Sequence, residues 1–206
     1  MARPKIILFD LDGTLVDTKE IVAEIYAEGL RKMGLSPPSL SKIMALSGLS
    51  TFETGRHLGV PENRLDEIDR WFWDQFRKFC EDPSEVPYVF TEVPSLLEFL
   101  TGLGIDLGIV TSNDSMNARL LMRKAKLERY FSAIIGFREV TNPKPSGEPI
   151  RIAVERISNG VGMDFSKDVW MVGDTDSDWQ SALDAGVRPL ILNRHLNSLN
   201  DLKKLL

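Results

Sequence analysis

The sequence is short of the features that mark exported, membrane-bound or nucleic-acid-binding proteins. Cys80 is the one cysteine in 206 residues. No disulfide can form within the chain, so a reducing compartment is the simpler setting and the thiol is expected to be buried or half-buried. Positive charge is not in excess either, since 25 Lys and Arg stand against 30 Asp and Glu for a formal net charge of -5. That leaves no overall basic footprint for nucleic acid or an anionic membrane surface. No segment has the apolar length to span a bilayer. The basic start Met1-Ala2-Arg3-Pro4-Lys5 leads into an apolar run that ends at Asp10, too short for a signal-peptide core. Cytoplasmic residence is the expectation. The two histidines, His57 and His195, have no companions at metal-ligand or catalytic spacing, and no role is assigned to them. Repeats and low-complexity tracts are absent.

What is present suits an ordinary soluble globular chain, with 43% hydrophobic and 27% charged residues. Its length allows one sizeable core and a small second lobe. The chain is organised around Phe9-Asp10-Leu11-Asp12-Gly13-Thr14-Leu15-Val16-Asp17. This stretch follows Lys5-Ile6-Ile7-Leu8, an apolar run that reads as a parallel strand buried on both faces. The acids should therefore emerge at the strand's carboxyl end, where open α/β sheets bind ligands. Asp10 and Asp12 can project to one side of an extended backbone, and Gly13 lets the chain turn away tightly. Two carboxylates so close disfavour each other's charge, and one tends to keep its proton unless a metal or a lysine offsets the repulsion. Asp17-Thr18-Lys19-Glu20, by contrast, reads as a capping box for the next helix.

Beyond that helix, which stops near Gly34, the spacing predicts only helices as far as about Pro87. The segments are Lys42 to Leu46, Thr51 to Leu58, and a long one after Pro61 with Phe72, Phe76 and Phe79 in a stripe. Aromatics at that spacing pack a core more often than they form a substrate box. Residues 18–88 thus read as a helical insertion. Alternation of strands and helices resumes with a helix at Pro94, a strand at Ile105 to Val110, a helix at Ser115 to Leu127, and a third strand at Ala133 to Phe137. A helix over Glu148 to Ser158, a strand at Val169 to Val172, a short helix to Ala185 and a last strand at Pro189 to Leu192 complete it. Such alternation with short connections predicts a doubly wound parallel α/β sheet formed by residues 1–17 and 89–206.

Each strand end supplies a different polar group. Thr111-Ser112-Asn113 offers a hydroxyl and amides for phosphoryl oxygens, although Thr111 alone is equally an ordinary strand residue. Lys144 lies between Pro143 and Pro145, which restrict the backbone and can aim the ammonium inward, although taken alone a solvated loop lysine is the more ordinary reading. Gly173-Asp174-Thr175-Asp176-Ser177-Asp178 places three acids within five residues. Asp174 is the candidate ligand for a hard cation. Ser177-Asp178-Trp179-Gln180 has capping-box spacing, and Asp178 reads either as a ligand or as a support behind one.

FDLDGTLVD resembles the first motif of the haloacid dehalogenase-like hydrolases, most of which are magnesium-dependent phosphatases. Thr111, Lys144, and Gly173-Asp174 with Asp178 resemble the family's second, third and fourth motifs, in order. Leu127-Glu128-Arg129-Tyr130-Phe131 and Ala182-Leu183-Asp184-Ala185-Gly186 are similar as well, so the resemblance runs from about residue 5 to 192. It implies a Rossmann-like core with a helical cap inserted between the first two motifs, and a group that includes phosphoglycolate phosphatases and phosphoglucomutase-like enzymes. Asp10 would be the nucleophile that forms an aspartyl-phosphate, and Asp12 the acid and later the base. Mg2+ would be held by Asp10, the Asp12 backbone carbonyl and Asp174, while Lys144 neutralises charge and Thr111, Ser112 and Asn113 orient the phosphoryl group.

Within the insertion, Leu46-Ser47-Gly48-Leu49-Ser50-Thr51 resembles the cap turn of relatives; Lys42 and Arg56 are the nearest cations for a substrate, although solvated helix faces are the more ordinary place for both. Ser146-Gly147-Glu148-Pro149 departs from the usual loop after the lysine. The expected partner is a small phosphorylated metabolite, and the expected state a monomer or homodimer. A phosphomutase, and a binding or regulatory protein with a dead site, are the alternatives. A dehalogenase would not need Asp12.

Overall fold

The computed structural model describes residues 3–84 and 88–206. The chain divides into two compact units, Met1–Asp17 with Pro87–Leu206 and Thr18–Val86. The second boundary expected from the sequence falls beside residues 85–87, which lie outside the described residues.

The first unit is built on a parallel five-stranded sheet, β1 (Ile6–Phe9), β2 (Asp106–Val110), β3 (Phe131–Ile135), β4 (Val169–Gly173) and β5 (Arg188–Ile191), in the order β3-β2-β1-β4-β5. All four residues of β1 are buried, as an unbroken apolar run in a sheet covered on both faces requires. Ile6 and Leu8 join one core with Ile150, Ala153 and Val154 of α7 (Glu148–Ser158) and Ala182 and Ala185 of α9 (Asp176–Ala185). Ile7 and Phe9 point to the opposite face and are equally buried. Each such side chain contributes roughly 1.5–3 kcal/mol by leaving water, which fixes the central strand and the polar residues that follow it. The chain builds β2 and β3 on one side of β1, then returns to lay β4 on the other. That reversal opens a crevice at the carboxyl ends of β1 and β4.

The second unit contains α1 (Lys19–Lys32), α2 (Leu40–Met44), α3 (Thr51–His57) and α4 (Leu65–Glu81), with no strand among its described residues. The α4 stripe is a packing face. Phe72 stacks on Tyr26 of α1 with ring centroids 4.6 Å apart and lies 5.8 Å from Phe76. Cys80, on the same face, is fully buried.

Several local expectations shift. Thr18, and not Asp17, holds the N-cap position of α1, without a side-chain cap bond, and the Asp17 amide donates to the Tyr88 carbonyl at 2.8 Å. Together with the Val16–Val89 bridge, that bond draws Asp17 into pairing between the two chain crossings. The third strand begins two residues early, at Phe131, and Phe137 enters a 3-10 turn. α6 (Ser115–Lys124) ends three residues before Leu127, because Lys126 takes a left-handed conformation with φ 60°. A short α8 (Phe165–Asp168) precedes β4, α5 (Val93–Gly102) carries Pro94 in its first turn, and α10 (Leu202–Leu205) closes the chain. No described helix is long and apolar enough to cross a membrane.

Candidate active site

Asp10 leaves β1 with its backbone still paired, its N–H donating to the Val172 carbonyl of β4 at 2.8 Å. The carboxylate is nearly buried, at 5% exposure. Lys144 reaches it from the loop after β3, through a cis Lys144–Pro145 peptide. The ammonium lies 2.6 Å from Asp10 Oδ1 and 2.6 Å from Asp178 Oδ1, and donates to the Val110 carbonyl at 3.1 Å. All three donors of the ammonium are thus used in a site shut off from water.

That loop is itself fastened. Glu148 accepts from the Thr141 and Asn142 amides at 2.7 and 3.0 Å, Asp184 accepts from the Gly147 amide at 2.6 Å, and Ser181 Oγ donates to the Ser146 carbonyl at 2.6 Å. The unusual Ser-Gly-Glu-Pro run therefore still delivers the lysine. Its glutamate clamps the loop from the first turn of α7.

Oxygens of Asp10, Asp174 and Asp178 lie within 4.8 Å of one another. The three acids differ in how they are committed. Asp178 is wholly buried, giving Oδ1 to Lys144 while Oδ2 accepts from the Thr175 amide and hydroxyl at 3.1 and 2.6 Å. The N-cap of α9 is accordingly Thr175, in a capping box with Asp178, and not Ser177 as the spacing suggested. The Thr175–Asp178 box starts two residues before Ser177 and has the S/T-x-x-D spacing as well, so two capping frames overlap there. Asp178 therefore supports Lys144, with both of its oxygens engaged. Asp174 is half-buried, and Thr14 Oγ1 approaches its Oδ1 at 3.4 Å. Gly13 has φ 94°, and a Cβ there would enter the Asp174 carboxylate, 2.9 Å from its carbon. Only glycine permits this approach of the first motif to the fourth. Thr14 has no signal of its own in the sequence beyond its place in the turn.

Burial drives the Asp10 carboxyl well above the usual carboxylate range; Lys144 opposes this, while Asp178 and Asp174 reinforce it. Burial also works against the Lys144 ammonium, but Asp10 and Asp178 outweigh it and hold the group above the ordinary lysine range. With all three carboxylates ionised, one ammonium leaves two negative charges for a bound cation to offset. An all-oxygen cluster with that deficit fits a hard divalent cation such as Mg2+.

Asp12 is half-buried, and its Oδ2 accepts from Asn113 Nδ2 at 3.0 Å. Thr111, at the end of β2, is 3% exposed and its Oγ1 accepts from the Asn113 amide at 3.0 Å. Ser112 is exposed. Asp10, Asp12, Thr111, Asn113, Lys144, Asp174 and Asp178 are thus joined within the α/β unit by strand ends and hydrogen bonds. Lys42 and Arg56 belong to the helical unit, where Lys42 is exposed and Arg56 is paired with Glu62 through Nε at 2.8 Å.

Fold and site define an α/β enzyme with a carboxylate-and-lysine centre at the switch point of a parallel sheet. The chain belongs to the haloacid dehalogenase-like hydrolase family, whose model matches residues 7–191. Phosphoglycolate phosphatase of Neisseria meningitidis is 31% identical over 187 residues, covering 87% of this chain and 76% of its own. Pyrophosphatase PpaX of Bacillus velezensis is 29% identical over 187 residues, covering 90% and 82%. The crystal structure of CbbY from Rhodobacter sphaeroides in complex with phosphate has the same fold, with a TM-score of 0.74 at 19% identity over 92% of this chain and 86% of that one. The protein is a hydrolase of the phosphatase type within this family.

Proposed function

We propose that the protein is a magnesium-dependent phosphatase that hydrolyses a small phosphorylated metabolite through an aspartyl-phosphate on Asp10. The observation that carries this reading is the buried Lys144 ammonium held 2.6 Å from Asp10 and from Asp178, beside Asp174. A carboxylate kept next to a fixed cation is a nucleophile in a site preorganised for an anionic group.

Asp10 attacks phosphorus, forming an O–P bond as the bond to the leaving oxygen breaks, and Asp12 gives that oxygen its proton. A water then attacks the aspartyl-phosphate, Asp12 takes its proton, and the Asp10–phosphorus bond breaks to release inorganic phosphate. Lys144 neutralises charge on the transferring group throughout, and Thr111 with neighbouring amides orients it. Asp10, Asp174 and the Asp12 backbone carbonyl would hold Mg2+, which supplies Lewis-acid stabilisation of phosphoryl charge when bound.

Asp178 is read as the support of Lys144. The helical unit, residues 18–88, is read as a cap that selects the leaving group, with Lys42 the cation available for a substrate and Arg56 occupied by Glu62. Names of relatives that act on phosphoglycolate and pyrophosphate favour small anionic substrates. The single buried cysteine fits a reducing cytoplasm.

The test is hydrolysis of 4-nitrophenyl phosphate with Mg2+ by the wild type, and its loss in Asp10→Asn together with the acid-quenched phosphoprotein. An Asp10→Asn variant that keeps more than a few per cent of the rate refutes the nucleophile. Transfer of phosphate to a sugar instead of water would identify a phosphomutase.

A further inference from the structure

Asn113 is bonded through every polar group it has. Its backbone N–H donates to Thr111 Oγ1 at 3.0 Å, and its carbonyl accepts from the Phe137 amide at 3.1 Å. The side-chain Oδ1 accepts from the Asp114 amide at 2.8 Å, and Nδ2 donates to Asp12 Oδ2 at 3.0 Å. The amide orientation is fixed by chemistry: a backbone N–H can only donate, so the oxygen faces Asp114 and the NH2 faces Asp12. Asp114 is in turn held as the N-cap of α6 by Met116 N–H at 2.9 Å, and paired with Arg138 Nε at 2.8 Å. An ordinary turn residue before a helix would account for the bonds to Thr111 and Asp114. It does not account for a contact to a carboxylate 101 positions away.

We propose that Asn113 is a positioning residue: from the end of β2 it fixes the rotation of the Asp12 carboxyl. The inference rests on Asp12 being the group that hands a proton to the leaving oxygen. Asp12 is half-buried and follows the strand on a turn, and the bond to a 5%-exposed, fully bonded neighbour restricts the rotation of its carboxyl. Proton transfer demands alignment within hydrogen-bond reach, and a misplacement of about 1 Å can lower a rate about 100-fold. Only poor leaving groups need that proton, so the effect must depend on the ester and not on how tightly the phosphoryl group is held.

The experiment measures kcat and KM of wild type, Asn113→Ala and Asn113→Asp on 2,4-dinitrophenyl, phenyl and methyl phosphate, with inorganic phosphate as competitive inhibitor. Asn113→Asp keeps the acceptor for Asp114 but turns an oxygen toward Asp12. Both variants should lose about 10- to 100-fold in kcat on phenyl and methyl phosphate, Asn113→Asp more, and less than about 3-fold on the dinitrophenyl ester, with phosphate inhibition unchanged. Adding Asn113→Ala to Asp12→Asn should cost nothing further. An equal loss on all three esters with weaker phosphate inhibition would make Asn113 a phosphate ligand and overturn the proposal, as would additive losses.

A second measurement does not need turnover. The Asn113 side-chain amide signals in NMR should shift, and their protons exchange faster, in Asp12→Ala; unmoved signals would refute the contact. Wild-type inactivity on every ester, with the amide signals behaving as expected, would sink the phosphatase reading and leave the positioning contact standing.

Discussion

Replacing Lys144 by Met keeps the volume of the side chain and removes its charge, which exposes what the ammonium offsets. The side chains of Lys144, Asp10 and Asp178 are only 2%, 7% and 0% exposed. Breaking a buried pair by removing one partner costs about 3–5 kcal/mol, because the other charge stays behind without compensation. Here two carboxylates are stranded, so the upper part of that range applies in the absence of divalent metal. The loss should depend on pH with a definite sign. Asp10 is raised above its unfolded value, so the native state holds the extra proton; this contributes stability at acid pH and is lost as pH rises through the folded value. Removing Lys144, which opposes that shift, raises Asp10 further. Lys144 is itself raised, so its contribution is complete below the unfolded lysine value and still present across neutral pH. The variant should therefore be destabilised much more at pH 8 than at pH 5.5. Saturating Mg2+ at about 100 times its Kd should return up to about 2.7 kcal/mol at pH 8. Urea unfolding of both proteins at the two pH values, with EDTA and with Mg2+, reads all of this. A loss below about 1 kcal/mol at pH 8 in EDTA, or an equal loss at pH 5.5, would refute the view that Lys144 balances buried acids. Activity should fall about 100- to 1,000-fold under every condition.

Gly13→Ala should weaken Mg2+ activation at least 10-fold while leaving the α/β unit folded, at a stability cost of about 1–3 kcal/mol for the strained backbone and the displaced Asp174 carboxylate; a Mg2+ titration of activity checks it, and an unchanged midpoint refutes it. His195 should titrate below the ordinary histidine value, because burial and then Arg194 and Arg188 disfavour its charge, and because its Nδ1 accepts the Ile191 N–H at 3.0 Å. Its depressed value makes the protein lose stability as pH falls through the folded pKa, by linkage. An NMR titration giving a value at or above about 6.5 would contradict this.

The parts of the fold that could be read from the sequence are those where local pattern and tertiary demand agree. Ile6-Ile7-Leu8-Phe9 is apolar without interruption because both faces of a central parallel strand are covered, and that run alone locates Asp10 at the crevice. Helix ends were harder. Thr175…Asp178 and Ser177…Gln180 both have capping spacing, and the choice is made by Lys144, which holds Asp178 from 34 residues away. Asp17 has capping spacing too, yet Thr18 holds the N-cap position and the Asp17 amide pairs with the Tyr88 carbonyl in the other chain crossing. Among site residues, the acids and the lysine announce themselves by type and position. Asn113 reads from the sequence only as a group for phosphoryl oxygens, because its bond to Asp12 spans 101 residues and leaves no local signal. Arg56 shows the reverse: a cation at a suggestive place, occupied by Glu62 six residues on.

The three acids of the centre are alike in chemistry and separated in role by where the backbone sets them. Asp178 lies in the first turn of α9, where one oxygen must close the helix end and the other meets the ammonium, so neither can leave without orphaning a buried donor. Asp174 stands four residues earlier, just past β4 and against Gly13, with its carboxylate turned to the crevice side of the first motif. Asp10, just past the neighbouring strand β1, shares the ammonium with Asp178 through its Oδ1. With both oxygens of Asp178 engaged by the helix end and the ammonium, we read Asp10 and Asp174 as the pair that shares a cation. Lengthening the connection between β4 and α9 by one residue would break that allocation while retaining every acid, so the spacing Asp174-x-x-x-Asp178 carries as much of the chemistry as the acids themselves.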